Sequence, residues 1–133
     1  WGCGKDAEDP VSVAGRGVYP HDEIYDTATE FNFRCEYGDG MELIVADGGQ
    51  LEKGVGVRWI GQDGAWVWVT RGALEASEQE ILKEQDQRSL GSNTGLHRNF
   101  IDCVKTRQAC LAPADSARHA ASLGHLGEIA MRG

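Results

Sequence analysis

Long apolar runs, clustered cations and a nucleotide-binding glycine signature are all missing from this chain of 133 residues. No hydrophobic stretch approaches the 18 or so residues that a membrane helix needs, and no charged-then-apolar leader is present. Lys and Arg total 13 against 21 Asp and Glu, a formal net charge of −8, and the cations are scattered. A grip on phosphate backbones needs clustered cations, so neither nucleic acid nor a membrane is expected as a partner. The four cysteines, Cys3, Cys35, Cys103 and Cys110, form no C-x-x-C pair and no zinc-ligand spacing. Cys35 in a strand-like run and Cys103 on a helix face read as small core residues, and they leave the compartment undecided.

Catalytic signatures are missing too. Gly54-Val55-Gly56 begins G-x-G but lacks the third glycine and sits inside a strand pattern, and Gly15-Arg16-Gly17 fails likewise. No G-x-x-x-x-G-K, H-E-x-x-H or G-x-S-x-G occurs. No cofactor-binding residue is therefore expected within the chain.

What is present suits a single domain over 1–133. Hydrophobic residues make up 41% and glycines number 18, a balance that favours a turn-rich, β-containing fold over a helical bundle. The chain opens on Trp1, without an initiator Met, as a segment of a longer protein would.

Residues 11–17 alternate briefly, as an edge strand does, and 18–28 read as a loop. In 29–37 the alternation is clean, with Phe31, Phe33, Cys35 and Tyr37 on one side and Glu30, Asn32, Arg34 and Glu36 on the other. Gly38-Asp39-Gly40 marks a hairpin turn, and 41–47 returns as the partner strand. Residues 55–60 and 65–70 around Gln62-Asp63-Gly64 form a second hairpin, followed by a short strand near 74–76. The period then changes. Residues 78–83 make a helical turn or two, and 84–95 a polar loop. A helix over 97–106 carries Phe100, Ile101, Cys103 and Val104 on one stripe, with Asn93 or Thr94 as cap. A last helix over 115–131 has Asp115 as cap, and its Gly124 and Gly127 permit close approach of another backbone. Strands first and helices last predict an α+β fold: a mainly antiparallel open sheet with two or three helices packed on one face.

Such helices cover one sheet face only. In 65–70 Trp66 and Trp68 point opposite to Val67 and Val69, and Trp59 lies one hairpin partner away. Either the indoles are core, as is usual for so large a side chain, or they form an exposed apolar patch of the kind that marks interfaces. The second alternative makes Trp59, Trp66 and Trp68 an interface between copies of the chain.

Residues able to do chemistry do not cluster in sequence. His119 and His125 lie about 240° apart around one helix, so they cannot chelate one ion, and His97 and Cys103 fail by the same geometry. No metal site is expected. Asp22, Glu23 and Asp26 form an acidic group of the kind that is commonly only solvated.

One resemblance runs through nearly the whole chain. His97-Arg98-Asn99-Phe100-Ile101-Asp102-Cys103-Val104-Lys105-Thr106-Arg107, then Pro113, then Arg118-His119-Ala120-Ala121-Ser122 to Ala130-Met131-Arg132, resembles the closing phrases of the glucose–fructose oxidoreductase / inositol dehydrogenase / MocA (Gfo/Idh/MocA) family. Gly56-Val57-Arg58-Trp59-Ile60-Gly61, Gly64, Val67, Val69 and Arg71-Gly72 resemble its "G-V-x-F-x-G-x-x-G-W-V-x-V-x-R-G". Trp1-Gly2, Gly4-Lys5-Asp6, Pro10-Val11-Ser12-Val13 and Ile24-Tyr25-Asp26-Thr27 look like the stretch after that family's catalytic helix, in its bacterial branch.

The resemblance implies the C-terminal domain of an NAD- or NADP-dependent oxidoreductase acting on a sugar or cyclitol, in a bacterial cytoplasm or periplasm. The partners it implies are the protein's own N-terminal Rossmann domain and further copies, through the open sheet face. The family's E-K-P lysine is absent, and its D-x-x-x-H pair would precede Trp1, so no catalytic residue transfers and the chain alone is expected to be inactive. His97, Arg98, Arg107 and His119 are the candidates for facing substrate, although the chain departs from the family wording around Arg107 and His119. The alternative is a self-standing binding or scaffold module of the same fold.

Overall fold

A computed structural model describes residues 2–22, 24–83 and 95–133. Trp1, Glu23 of the acidic group, the cap candidates Asn93 and Thr94, and all but the last residue of the 84–95 loop lie outside the described residues. Among the described residues six strands are followed by three helices: β1 (Ser12–Val18), β2 (Glu30–Glu36), β3 (Glu42–Ala46), β4 (Val57–Ile60), β5 (Trp66–Thr70), β6 (Ala73–Ala76), α1 (Gln79–Lys83), α2 (Leu96–Thr106) and α3 (Ala114–Arg132). The strands form two three-stranded antiparallel sheets, β1-β2-β3 and β4-β5-β6. The fold is the expected α+β with antiparallel sheet, and β1 is an edge strand.

Contacts group the chain into two compact units, Trp1–Asp47 with Asn93–Gly133, and Gly48–Ser92. In the first, Phe33, Cys35 and Tyr37 of the alternating segment are the buried core, and burial holds the Cys35 thiol and the Tyr37 phenol above their ordinary pKa values. Val13, Phe31, Met41, Leu43 and Val45 pack round them from the sheet. Leu123 and Met131 pack on them from α3. With Gly127 between them, those two positions make an i, i+4, i+8 stripe on one side of the helix. Among the helices it is α3 that lies against β1 and β2. On α2, Cys103 is buried, while Phe100 (61%), Ile101 (49%) and Val104 (49%) of the same apolar stripe are exposed.

Helix starts differ from the expectation at two points: Gly95 stands at the N-cap of α2 in place of Asn93 or Thr94, with no side-chain cap hydrogen bond. Pro113 stands at the N-cap of α3 with no side-chain cap hydrogen bond, and Asp115 lies inside the first turn. There its charge complements the helix dipole instead of capping.

The second unit contains β4, β5, β6 and α1. Its hairpin repeats the turn chemistry of the first. In β2–β3 the Gly40 N–H donates to the Tyr37 carbonyl and the Tyr37 N–H to that of Met41. In β4–β5 the Gly64 N–H donates to the Gly61 carbonyl and the Gly61 N–H to that of Ala65. Both turns place an Asp carboxylate under the amide just before the next strand, Asp39 to Met41 and Asp63 to Ala65. Each is followed by a left-handed glycine, Gly40 at φ 86° and Gly64 at φ 85°. A three-residue loop of this kind needs its last residue at positive φ, which glycine adopts without a Cβ penalty.

Candidate functional site

Register within β4–β5–β6 sorts the tryptophans. Trp59 pairs with Val67, Ile60 with Trp66 and Arg58 with Trp68. Directly opposed residues share a face, so Trp59 lies with Val67 and not with Trp66 and Trp68. The three-indole patch expected from the sequence is therefore split between the two sides of the sheet. One side carries Val57, Trp59, Val67, Val69, Leu74 and Ala76, with no charged residue among them. The other carries Arg58, Ile60, Trp66, Trp68 and Glu75.

The Trp66/Trp68 side is dressed with charge. Lys53 Nζ stands 4.7 Å from the Trp66 ring centroid and 5.4 Å from that of Trp68, and it is paired with the Glu75 carboxylate. The Arg58 guanidinium lies 5.1 Å from the Trp66 ring and pairs with Glu52 at 2.9 Å. Both indoles are half-buried. The Trp68 indole also lies over Gly56, where a Cβ would come within 2.6 Å of its Nε1. Cations on the ring faces satisfy the aromatic quadrupoles, and their stems cover the apolar surface. Composition alone does not reveal this shielding, because Lys53 lies well outside the strands it covers.

Of the four substrate-side candidates, His119 and Arg98 are engaged by side-chain partners and Arg107 through its backbone. His119 has a side chain only 13% exposed, and both its ring nitrogens are occupied. Nδ1 stands 2.8 Å from the Asp9 carboxylate and Nε2 2.7 Å from the Arg118 guanidinium. Since Arg donates only, Nε2 accepts and the Nδ1 proton is given to Asp9. Arg98 places Nε at 3.0 and 3.1 Å from both oxygens of Asp102, one turn on. Arg107 is the left-handed C-cap of α2 at φ 62°, its N–H donating to the Cys103 carbonyl at 2.8 Å. His97 is exposed and lines an open, mainly apolar cleft of about 360 Å³ with Phe100, Ile101 and Cys110.

Two clusters escape a reading by sequence spacing because they join distant segments. The Tyr19 hydroxyl donates to Glu128 at 3.1 Å, and Arg132 pairs with Glu128, donates to the Asp26 carbonyl and stacks 4.2 Å from the Tyr19 ring. Burial, and then the Glu128 hydrogen bond, raise the Tyr19 pKa, while the Glu128 carboxylate holds the Arg132 guanidinium more firmly protonated. Lys5 joins Glu8 at 2.7 Å and Asp39 at 2.8 Å. Its hydrogen bond holds the Asp39 carboxyl below the usual aspartate value, and the two carboxylates raise Lys5 in turn.

Among the described residues no group of three or more His, Cys, Asp or Glu side chains is placed to hold a metal ion, and no helix is long and apolar enough to cross a membrane. Set against protein-family models, curated proteins and solved structures, the chain matches none.

Proposed function

We propose that this chain is the C-terminal oligomerisation and substrate-side domain of an NAD(P)-dependent oxidoreductase acting on a sugar or cyclitol. It works beside a separate nucleotide-binding domain and supplies none of the hydride-transfer groups. The enzyme half of this reading rests on the wording of residues 97–132, which occupy α2 and α3. The assembly half is supported by one observation, the uncharged sheet face bearing Val57, Trp59, Val67, Val69, Leu74 and Ala76. Interface centres are depleted of charge. Covering the Trp66/Trp68 side would instead require stripping water from Lys53, Arg58, Glu52 and Glu75, which is costly even for paired ions.

A second copy is the occupant that suits such a face, because a two-fold contact of like with like closes without leaving an edge. Val57 and Leu74 of this face are 52% and 47% exposed, and covering apolar surface contributes roughly 25 cal/mol per Å² buried. Sedimentation of the wild type beside Trp59→Ser and beside Trp66→Ser/Trp68→Ser tests this. Loss of association with Trp59→Ser alone supports the uncharged face. Loss only in the double variant moves the contact to the charged side, and a monomeric wild type removes the assembly reading. The division of labour has its own test, since calorimetric binding of NADH to this chain alone would overturn it.

A further inference from the structure

Lys53 reaches the indoles from a turn that precedes β4. There the Gly54 N–H donates to the Leu51 carbonyl at 3.0 Å, and Gly54 holds a left-handed backbone at φ 70°. Three side chains of the sheet receive the ammonium. Its nitrogen stands 4.7 Å from the Trp66 ring centroid and 5.4 Å from that of Trp68, and it pairs with the Glu75 carboxylate. Strand register builds this arrangement. Trp66 and Trp68 are two apart on β5 and so point the same way, and Glu75 of β6 stands directly across from Trp68. Two aromatic faces and one carboxylate round a single positive nitrogen are the parts of a cage for an alkylated ammonium. The cage is open to solvent, since the Lys53 side chain is 29% and the Glu75 side chain 48% exposed.

We propose that Trp66, Trp68 and Glu75 form a binding site for a methylated ammonium cation, of the choline or trimethyllysine kind, and that Lys53 is its built-in occupant. A primary ammonium is compact and strongly hydrated, and here it is held by donating to Glu75. A quaternary ammonium has no N–H to give to water. It spreads its charge over methyl groups that lie against ring faces, so two indoles favour it over lysine. Lys53 is tethered beside the site and competes at a high effective concentration. The site is therefore closed in the free chain and opens when Lys53 is displaced or loses its charge. Arg58 also lies over Trp66, but Glu52 neutralises it at 2.9 Å, so it sets no bare positive charge beside the cage. The cage faces away from the uncharged side bearing Trp59, and association through that side leaves it accessible.

The split of the tryptophans supplies an internal reference. Choline chloride is titrated into the full chain and into Lys53→Ala at matched ionic strength, with the indole N–H signals followed by NMR. The Trp66 and Trp68 signals should move and that of Trp59 should not. Affinity should be at least ~10-fold higher in Lys53→Ala, which lacks the tethered competitor. The neutral alcohol in which carbon replaces the choline nitrogen should not bind, and Glu75→Gln in the Lys53→Ala background should weaken choline. Either order of affinity between choline and a trimethyllysine peptide supports the site, choline first marking a free small molecule and the reverse a modified protein. No shift at Trp66 and Trp68 in Lys53→Ala, equal affinity in the wild type, equal binding of the neutral alcohol, or unchanged affinity in Lys53→Ala/Glu75→Gln would each overturn the proposal.

Discussion

Gly127 of α3 lies flat on the ring of Phe33 in β2, so closely that a Cβ there would come within 2.7 Å of the ring carbons. Phe33 is also crowded from β1, where a Cβ on its register partner Gly15 would meet the Phe33 Cβ at 2.6 Å. The helix sits low on the sheet because these positions have no side chain. Gly127→Ala should therefore destabilise the first unit by about 1–3 kcal/mol through overpacking. Gly124, one turn earlier in the same helix, has open space around it. Gly124→Ala should instead gain up to about 1 kcal/mol of helix propensity. Urea denaturation of the two variants checks both signs, and equal gains would mean that helix propensity and not the Phe33 contact governs.

Arg107 holds a left-handed backbone at φ 62° while its side chain is exposed. A Cβ costs roughly 1 kcal/mol in that conformation. Arg107→Gly should raise the midpoint of thermal unfolding, with a gain of up to about 1 kcal/mol offset in part by glycine's freedom in the unfolded chain. A lowered midpoint would show that the guanidinium makes a contribution beyond the cap.

The Lys5–Asp39 pair sets two opposite pH limits. Asp39 has a depressed pKa in the folded chain, so its contribution is present above the ordinary aspartate value of about 3.9 and is lost as pH falls through the lower folded value. Lys5 is raised, so its contribution is complete below the ordinary lysine value of about 10.4 and is lost as pH rises through the higher folded one. The stability difference between wild type and Asp39→Asn should hence be largest between those limits and shrink on acidification below about pH 4. Unfolding midpoints across an acid series read this directly, and a difference constant with pH would rule the pair out as its source.

His119 ties α3 to the segment before β1 through Asp9. His119→Ala removes that tie and leaves Arg118 without its ring acceptor. It should cost about 0.5–1.5 kcal/mol, the usual worth of one hydrogen bond. Limited proteolysis should also cut residues 5–10 faster in this variant. Asp9→Ala should reproduce the proteolytic effect, and a difference between the two would reveal a second role for the imidazole.

Strand β2 is readable without coordinates because alternation, turn glycines and a following partner strand all agree over 29–47. The second hairpin is equally readable as a hairpin, yet the side on which Trp59 falls depends on register, and register depends on the turn. Counting outward from Asp63 at the turn centre pairs Trp59 with Val67. Alternation inside 65–70 alone relates Trp66 to Trp68 and says nothing of Trp59. Charge on the indole faces is harder still, since Lys53 reaches them from outside the strands. The stripe Phe100, Ile101, Cys103 and Val104 likewise announces a helix face without naming what covers it. The Asp9–His119 and Tyr19–Glu128–Arg132 clusters join residues more than 100 positions apart, and no local pattern encodes such pairings.

Chain order has a consequence during synthesis. Strands β1–β3 end at Ala46, but the helix that covers their core face begins at Ala114 and runs to Arg132. At common translation speeds the ribosome needs on the order of ten seconds to make the intervening stretch and α3. Throughout that interval Phe31, Phe33, Cys35 and Tyr37 have no helix over them. The nascent protein must keep a sticky three-stranded ribbon from meeting its neighbours on the polysome, so slow translation or a stop codon before residue 114 should yield aggregates rather than a smaller folded product.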